Sequence, residues 1–387
     1  MIGCMGLSTS RGSPPSARGD FLLISCQGGA EAEIKARLPQ VLPGVALGAW
    51  RRGAVTFRLP PGADPADEFA PDIVFARSTI RSFGQVTAAD DAERIALAVA
   101  RAGDAGWENV HVWKRDERVA VDTAAVRDRL LAACGLPAAV EATAQPGQLV
   151  LDCVIDTADR CWVGWHRATT PPGIWPGGLY PGSLSADKVS RAWLKLDEAI
   201  ATFGVDLRPG ERACEIGASP GGSCQRLLEA GIRVVGIDPA AIDPRVATHE
   251  RFEHWRMRSR DVKLRGYRGF DWILSDMNID PTSTLEALER ILTAPGVRPR
   301  GIVATFKLPD WSRAGELAGW LDRLRGLGFA PRARQLSTGG REVCVVALRD
   351  RARRTGGPAA LAGKPGGDRR RQRNSRDTSK PRPSARA

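Results

Sequence analysis

Hydrophobic and polar positions follow two different rhythms along this chain. From residue 20 to 58 an apolar run, Phe21-Leu22-Leu23-Ile24-Ser25, gives way to a short helical stretch from Ala30 to Leu38 and a strand-like return over Val45 to Leu59, a β-α-β pattern. After a Pro-rich break at residues 60–65, helical periodicity over Ala88 to Ala102 precedes the alternating run Val110-His111-Val112-Trp113. A helix over Val121 to Cys134 then precedes strand-like runs at Gln148 to Ile155 and Cys161 to Arg167. The first 167 residues therefore predict a small α+β unit. Residues 170 to 183, TPPGIWPGGLYPGS, hold too much Pro and Gly for a helix or a central strand, which marks a linker over 170–184. Trp175 and Tyr180 inside it fit either a loop anchored on the core or aromatics that stack on bases.

Beyond the linker the alternation becomes regular. An amphipathic helix (Val189, Ala192, Trp193, Leu196, Ile200, Phe203) leads to a strand at Ala213 to Ile216, a Gly-rich turn, a helix at Ser223 to Ala230 and a strand at Val234 to Ile237. Strands follow at Trp272 to Ser275 and Ile302 to Phe306, then a helix from Ala314 to Leu327 and a closing pair, Ala333 to Ser337 and Val343 to Leu348, joined through Gly339-Gly340. Helices alternating with short apolar strands predict an α/β, Rossmann-like domain over 185–350, a parallel sheet with helices on both faces and an antiparallel last strand.

Composition adds exclusions. The 387 residues are 43% hydrophobic and 26% charged, enough for two or three packed domains. No apolar run approaches the roughly 20 residues that span a bilayer, and the first 18 residues lack the apolar region of a secretory signal. The eight cysteines are dispersed without C-x-x-C spacing, which predicts reduced thiols in a cytoplasmic protein. The net charge of +12 is mostly a tail: residues 351–387 carry +10, leaving +2 for the rest. That tail, like residues 1–19, lacks the apolar content to fold and is expected to be disordered, either an arm for phosphates or a solvated extension.

The chemistry concentrates in a few turns. Glu215-Ile216-Gly217-Ala218-Ser219-Pro220-Gly221-Gly222 runs from a strand into a helix, the crevice where an open α/β sheet binds nucleotide-like ligands. Its glycines fall as G-x-x-x-G-G rather than G-x-G-x-x-G, the arrangement used for S-adenosylmethionine instead of a dinucleotide pyrophosphate. Asp238 follows Gly217 by 21 residues, placed to accept ribose hydroxyls. Asp261, after a possible third strand, is a candidate for the adenine amino group or an exposed loop acid. The fourth strand ends Ser275-Asp276-Met277-Asn278, with neither the Asn/Asp-Pro-Pro-aromatic clamp of amino methyltransferases nor a nucleophilic Cys. An oxygen acceptor remains, and Lys307 at the end of the next strand is the candidate base.

Ser190-Arg191-Ala192-Trp193-Leu194-Lys195-Leu196-Asp197-Glu198, Gly217 to Gly222, Ser275-Asp276-Met277, Phe306-Lys307 and Arg341-Glu342-Val343 resemble, in that order, the heat-shock ribosomal RNA 2'-O-methyltransferase superfamily. The resemblance covers most of 185–349. Lys307-Leu308-Pro309, Ala333-Arg334-Gln335-Leu336 and the long N-terminal extension look closest, within it, to the bacterial 23S rRNA cytidine 2'-O-ribose methyltransferase family. It implies a ferredoxin-like subdomain over 20–86, a THUMP-like RNA-binding domain over 87–169, and a catalytic set of Lys195, Asp276, Lys307 and Glu342. It also implies Ser190, Gly217, Ser219, Pro220, Gly221, Gly222, Asp238, Asp261 and Asp276 around the cofactor, with rRNA as partner. Ser219 stands where the family has Ala or Cys, and Asp310-Trp311 where it tends to be basic.

A ribose 2'-hydroxyl is a poor nucleophile at neutral pH, so the enzyme must orient it toward an activated methyl and take its proton, without need of a metal. A lysine serves as base only when neutral, which burial or a neighbouring cation such as Lys195 favours and two carboxylates oppose. The reading makes Lys307 the proton acceptor, Asp276 its orienter beside the cofactor, and Lys195 and Glu342 the holders of hydroxyl and substrate. Taken alone, Lys195 reads as a surface lysine flanking an apolar stripe and Glu342 as a hairpin residue. Two rivals are a non-catalytic rRNA-binding or ribosome-assembly protein that retains the fold, and an NAD-dependent oxidoreductase, for which the glycine spacing is wrong. His111, His166, His249 and His254 show no metal-ligand spacing beyond the last two, and no metal is expected. Trp162, Trp165 and Trp175 read as core and linker anchors rather than a stacking row.

Overall fold

A computed structural model describes residues 19–62, 72–169 and 171–350. The expectations for the N-terminal extension, Cys4 and the basic tail lie outside the described residues. The N-terminal half contains β1 (Phe21–Cys26), α1 (Glu31–Val41), β2 (Ala46–Arg51), β3 (Ala54–Arg58), β4 (Ala76–Thr87), α2 (Asp91–Ala102), β5 (Asn109–Lys114), α3 (Thr123–Ala133), β6 (Leu149–Ile155) and β7 (Arg160–Arg167). Its strands form one seven-stranded sheet in the order β2-β3-β1-β4-β7-β6-β5. The boundary expected between 86 and 87 falls at the end of β4, which pairs with β1 on one side and β7 on the other. The sheet therefore runs unbroken through both expected subdomains.

Two segments depart from the pattern reading. Val45 to Leu59 is not one strand but a hairpin, because Gly53 turns the chain at φ +88. The 12-residue β4, ARSTIRSFGQVT, has no clean alternation and was not expected; a bulge between Ser82 and Gly84, with Gly84 at φ +110, breaks its period.

The C-terminal half contains α4 (Arg191–Phe203), β8 (Arg212–Ile216), α5 (Gly222–Glu229), β9 (Arg233–Ile237), α6 (Pro244–Ala247), β10 (Phe252–Trp255), β11 (Trp272–Ser275), α7 (Pro281–Leu292), β12 (Gly301–Lys307), α8 (Leu317–Gly326), β13 (Phe329–Arg334) and β14 (Glu342–Arg349). The order β10-β9-β8-β11-β12-β14-β13 is parallel from β10 to β12, with β14 antiparallel to both neighbours. One face is covered by α4 and α5, around Leu196, Leu227 and Phe203; the other by α7 and α8, around Leu288, Trp320 and Leu324. Helix α7 was not expected, although Asp280 caps it and Pro281 opens it. The helix expected from Ala314 begins as a 3-10 turn over Trp311–Glu316 and becomes α-helical at Leu317. The strand expected at Ala333 to Ser337 lies earlier, because Gln335 leaves the sheet to donate its N–H to Val74 O at 2.8 Å. Among the described residues, no helix is long and apolar enough to cross a membrane.

The linker packs on both halves. Trp175 is buried and meets Tyr180 edge-on at 5.1 Å, and Tyr180 Oη donates to Asp197 at 2.5 Å. This settles the choice for these two aromatics in favour of anchoring. Trp311, one of the three residues that depart from the family pattern, packs edge-on against Phe75 at 5.9 Å, and a Cβ on Gly29 would come within 2.7 Å of its ring. It joins the two halves. Trp162 and Trp165 are likewise buried.

Candidate active site

Helix α4 starts where Ser190 Oγ accepts the Ala192 N–H at 3.3 Å and stops at Gly204, in the left-handed region at φ +63. Its buried stripe of Leu196, Ala199 and Phe203 leaves Lys195 on the flank, reaching over the end of β11. Parallel pairing sets Ser275 between Ile216 and Ala304, so Asp276 leaves the sheet at its centre. On the antiparallel side, Lys307 at the end of β12 pairs directly with Glu342 at the start of β14.

The four side chains close a ring. Lys195 Nζ lies 2.5 Å from Asp276 Oδ2 and 3.3 Å from Glu342 Oε1. Lys307 Nζ lies 2.8 Å from Asp276 Oδ1 and 2.5 Å from Glu342 Oε2. Each ammonium touches both carboxylates, and the formal charges cancel. Burial pulls the Lys307 amine toward its neutral form, but Asp276 and Glu342 outweigh it, and its pKa rises above the usual lysine range. Burial pushes the Asp276 carboxyl up, yet Lys195 and Lys307 together bring it below its ordinary value. At rest Lys307 is thus held as an ammonium and Asp276 as a carboxylate.

Two neighbours were not singled out from sequence. Glu198, one turn beyond Lys195, is buried and accepts from Ser337 N at 2.7 Å, Thr338 N at 2.8 Å and Thr338 Oγ1 at 2.6 Å. It clamps α4 to the loop that delivers Glu342. Glu215 is 2% exposed, accepts from Cys224 Sγ at 2.9 Å, and has its pKa pushed up to about 7, chiefly by burial. With Lys195, Ser275, Asp276 and Thr305 it lines a cavity of about 30 Å³, room for a water, beside the Ser275 hydroxyl that has no protein partner. A carboxylate inside the apolar strand Ala213-Cys214-Glu215-Ile216 was the available signal.

The glycine turn abuts this ring. Gly217 has φ +80, and a Cβ there would meet the Met277 backbone at 3.2 Å; Gly221 has φ +114. Gly222 has no room for a side chain, since a Cβ would fall 2.2 Å from Ser190 Oγ and 2.9 Å from Trp193 N. Asp238 accepts from Ser219 N at 3.2 Å and Ala240 N at 2.8 Å, which holds its carboxylate beside the turn. Ser219 Oγ donates to Ala241 O at 2.8 Å, so the serine is accommodated, and Pro220 follows within the same turn. The bare backbone between two carboxylates suits a nucleoside carrying an amino-acid arm. Asp261 behaves differently: it is exposed on a 3-10 turn, 3.9 Å from Arg260, and no hydrogen bond or ion pair among the described residues joins it to the turn. His254 Nε2 contacts Asp238 O at 2.9 Å, and His249 Nδ1 accepts from Arg251 N at 3.1 Å.

Residues 188–308 match the FtsJ-like methyltransferase family. Those residues form an FtsJ-like methyltransferase domain within the C-terminal half. Among relatives, ribosomal RNA large subunit methyltransferase M of Azoarcus sp. (strain BH72) is 34% identical over 173 residues, 43% of this chain and 46% of that protein. The protein of the same name from Aromatoleum aromaticum is 34% identical over 153 residues, 38% and 40% of the two chains. That from Laribacter hongkongensis is 30% identical over 190 residues, 46% and 53%. The chain spans about half the length of the curated relatives it matches. The ring of Lys195, Asp276, Lys307 and Glu342 draws its first three members from the stretch matched by the methyltransferase domain; Glu342 comes from beyond it.

Proposed function

We propose that this chain transfers a methyl group from S-adenosylmethionine to a ribose 2'-hydroxyl of RNA, its target a cytidine of large-subunit rRNA in the cytoplasm. The observation that carries the reading is the closed ring of two lysines and two carboxylates against a side-chain-free turn. The FtsJ-like domain and the names of the relatives support the reaction type and the rRNA substrate.

When bound, S-adenosylmethionine supplies a methyl already activated on a sulfonium. Gly217, Ser219, Pro220, Gly221 and Gly222 would hold it with Ser190 behind the turn, Asp238 facing ribose hydroxyls, Asp276 near the reacting end and Asp261 toward the adenine. Lys307 accepts the hydroxyl proton as the new oxygen–carbon bond forms, Asp276 orients it, and Lys195 and Glu342 hold the hydroxyl and the substrate. The Lys307 amine must first shed the proton that Asp276 and Glu342 help it keep. Lys195 across the ring and any further positive charge entering the site oppose that pairing and lower the Lys307 pKa. Lys307 and Asp276 share a contact at 2.8 Å, so their proton equilibria are coupled.

RNA gripping belongs, on this reading, to residues 20–169, with their ferredoxin-like and THUMP-like parts. Arg52, Arg77, Trp113 and Lys114 border a cleft of about 420 Å³, and Arg77 Nε and Trp113 Nε1 are buried donors without partners among the described residues, a setting suited to a phosphate oxygen. The test is transfer of labelled methyl to rRNA by the purified chain, followed by digestion. Label recovered as a 2'-O-methylated cytidine supports the reading; label on a base, or none on rRNA with cofactor bound, overturns it.

A further inference from the structure

The N-terminal sheet carries a second cluster of chemistry. Histidines 111 and 166, far apart in sequence, are brought together with Asp152 by strand register. His111 on β5 lies directly opposite Asp152 on β6, and His166 on β7 is paired with Val150, two residues from Asp152 on the same face. One ligand atom from each of the three falls within 4.8 Å of the others. The site is closed: His111 and Asp152 are 0% exposed and His166 8%.

The hydrogen bonding is incomplete in a particular way. Asp152 Oδ1 and both ring nitrogens of His111 are buried with no partner in hydrogen-bond geometry among the described residues, the backbone of Ala142 facing the His111 ring. His166 Nε2 lies 2.9 Å from Gly173 O, a pure acceptor, so that nitrogen carries its proton, and Nδ1 points to Asp152 Oδ2 at 2.5 Å. A metal-bound histidine is arranged this way, one nitrogen donating to a carbonyl while the other offers its lone pair. Without a cation, the same contacts demand a doubly protonated His166 paired with Asp152, and even with one His111 nitrogen turned to the Ala142 backbone the other keeps its lone pair unmet in a dry interior. The one other charged group facing His111, Arg127, is spent on the carbonyls of Val110, Val140 and Glu141 and on Asn109 Oδ1, and offers His111 nothing.

We infer that His111, Asp152 and His166 form a binding site for one divalent transition-metal ion of the zinc type. Two imidazoles and one carboxylate select such an ion over magnesium or calcium, which prefer all-oxygen shells. Metal–ligand distances near 2.0–2.2 Å require donors roughly 3.3 Å apart, between the 2.5 Å of the His166–Asp152 contact and the 4.8 Å limit of the cluster, so each donor would move by roughly 1.5 Å or less. Through Gly173 the ion would pin the linker that leads to the methyltransferase domain. Its role is structural and independent of the methyl-transfer reading.

The test uses the full chain, purified without a histidine tag or chelator. Metal analysis should find zinc at about one ion per chain. After chelator treatment, added zinc should raise the melting temperature, and added cobalt(II) should give visible absorption that His111→Ala abolishes. Zinc below roughly a tenth of an ion per chain, together with a melting temperature that excess zinc does not move, overturns the site. So does nitrogen NMR showing both His166 nitrogens protonated in the presence of zinc. Neither of these readouts depends on a variant that must fold.

Discussion

Replacing Lys307 by Arg and, separately, by Ala divides its two roles, charge partner and proton acceptor. The Lys307 ammonium contacts Asp276 at 2.8 Å and Glu342 at 2.5 Å, with its side chain 21% exposed. Lys307→Ala leaves two carboxylates sharing Lys195. Breaking a fully buried pair costs about 3–5 kcal/mol, and partial solvent access reduces that here to about 2 kcal/mol. The expected melting temperature falls by a few degrees. Lys307→Arg keeps a cation within reach of both carboxylates, so its stability should stay within about 1 kcal/mol of the parent. Arginine does not give up its proton near neutral pH, and turnover should drop roughly 10²- to 10⁴-fold, the worth of a general base.

The pH profile adds a second reading. Because Asp276 and Glu342 raise the Lys307 pKa, the neutral amine is the minor form at pH 7, and kcat/KM for RNA should climb about tenfold per unit toward alkaline pH. Lys307→Arg should flatten that slope. Cofactor affinity, measured by calorimetry, should change little in either variant. An arginine enzyme that turns over at near-parental rate with the same slope would refute the assignment of Lys307 as base and leave it a fixed charge.

Three further outcomes follow from the same geometry. Glu215 has a folded pKa near 7 against an ordinary 4.5, so its ionisation opposes folding: the penalty is absent below pH 4.5 and complete above pH 7. Glu215→Gln should therefore gain on the parent as pH rises from 5 to 8, by up to about 3 kcal/mol in denaturation curves; equal curves across that range would contradict it. Glu198→Ala strips acceptors from Ser337 N and Thr338 N, which should cost roughly 2–4 kcal/mol and lower kcat more than cofactor affinity as Glu342 loses its anchor. Gly222→Ala puts a Cβ against Trp193 N, a backbone atom that cannot rotate away, and should destabilise by about 1–3 kcal/mol while displacing α4 and Lys195, seen as a lower melting temperature and reduced turnover.

Much of the C-terminal domain was legible in the order of residues. A fully buried parallel strand reads as a short, largely apolar run, and Ala213 to Ile216, Val234 to Ile237 and Trp272 to Ser275 match β8, β9 and β11 to within a residue. The glycine turn was legible because only glycine tolerates its φ values and close contacts. Strand β4 was not, since polar and charged residues stand at several of its buried positions and a bulge erases its period. Lys195 and Glu342, taken singly, looked like surface residues, and only the ordered resemblance raised them.

Local sequence therefore determined most of the strands and helices of the C-terminal domain, where the turn binds close to backbone, and that a lysine ends a central strand. What required the tertiary structure was every relation between distant residues. Pairing register sets Lys307 opposite Glu342 and His111 opposite Asp152, helix packing swings Lys195 over Asp276, and the resulting proximity decides which groups keep their protons. Charges interact through space as the inverse of distance, and distance between residues tens of positions apart or more is a property of the fold, not of the chain.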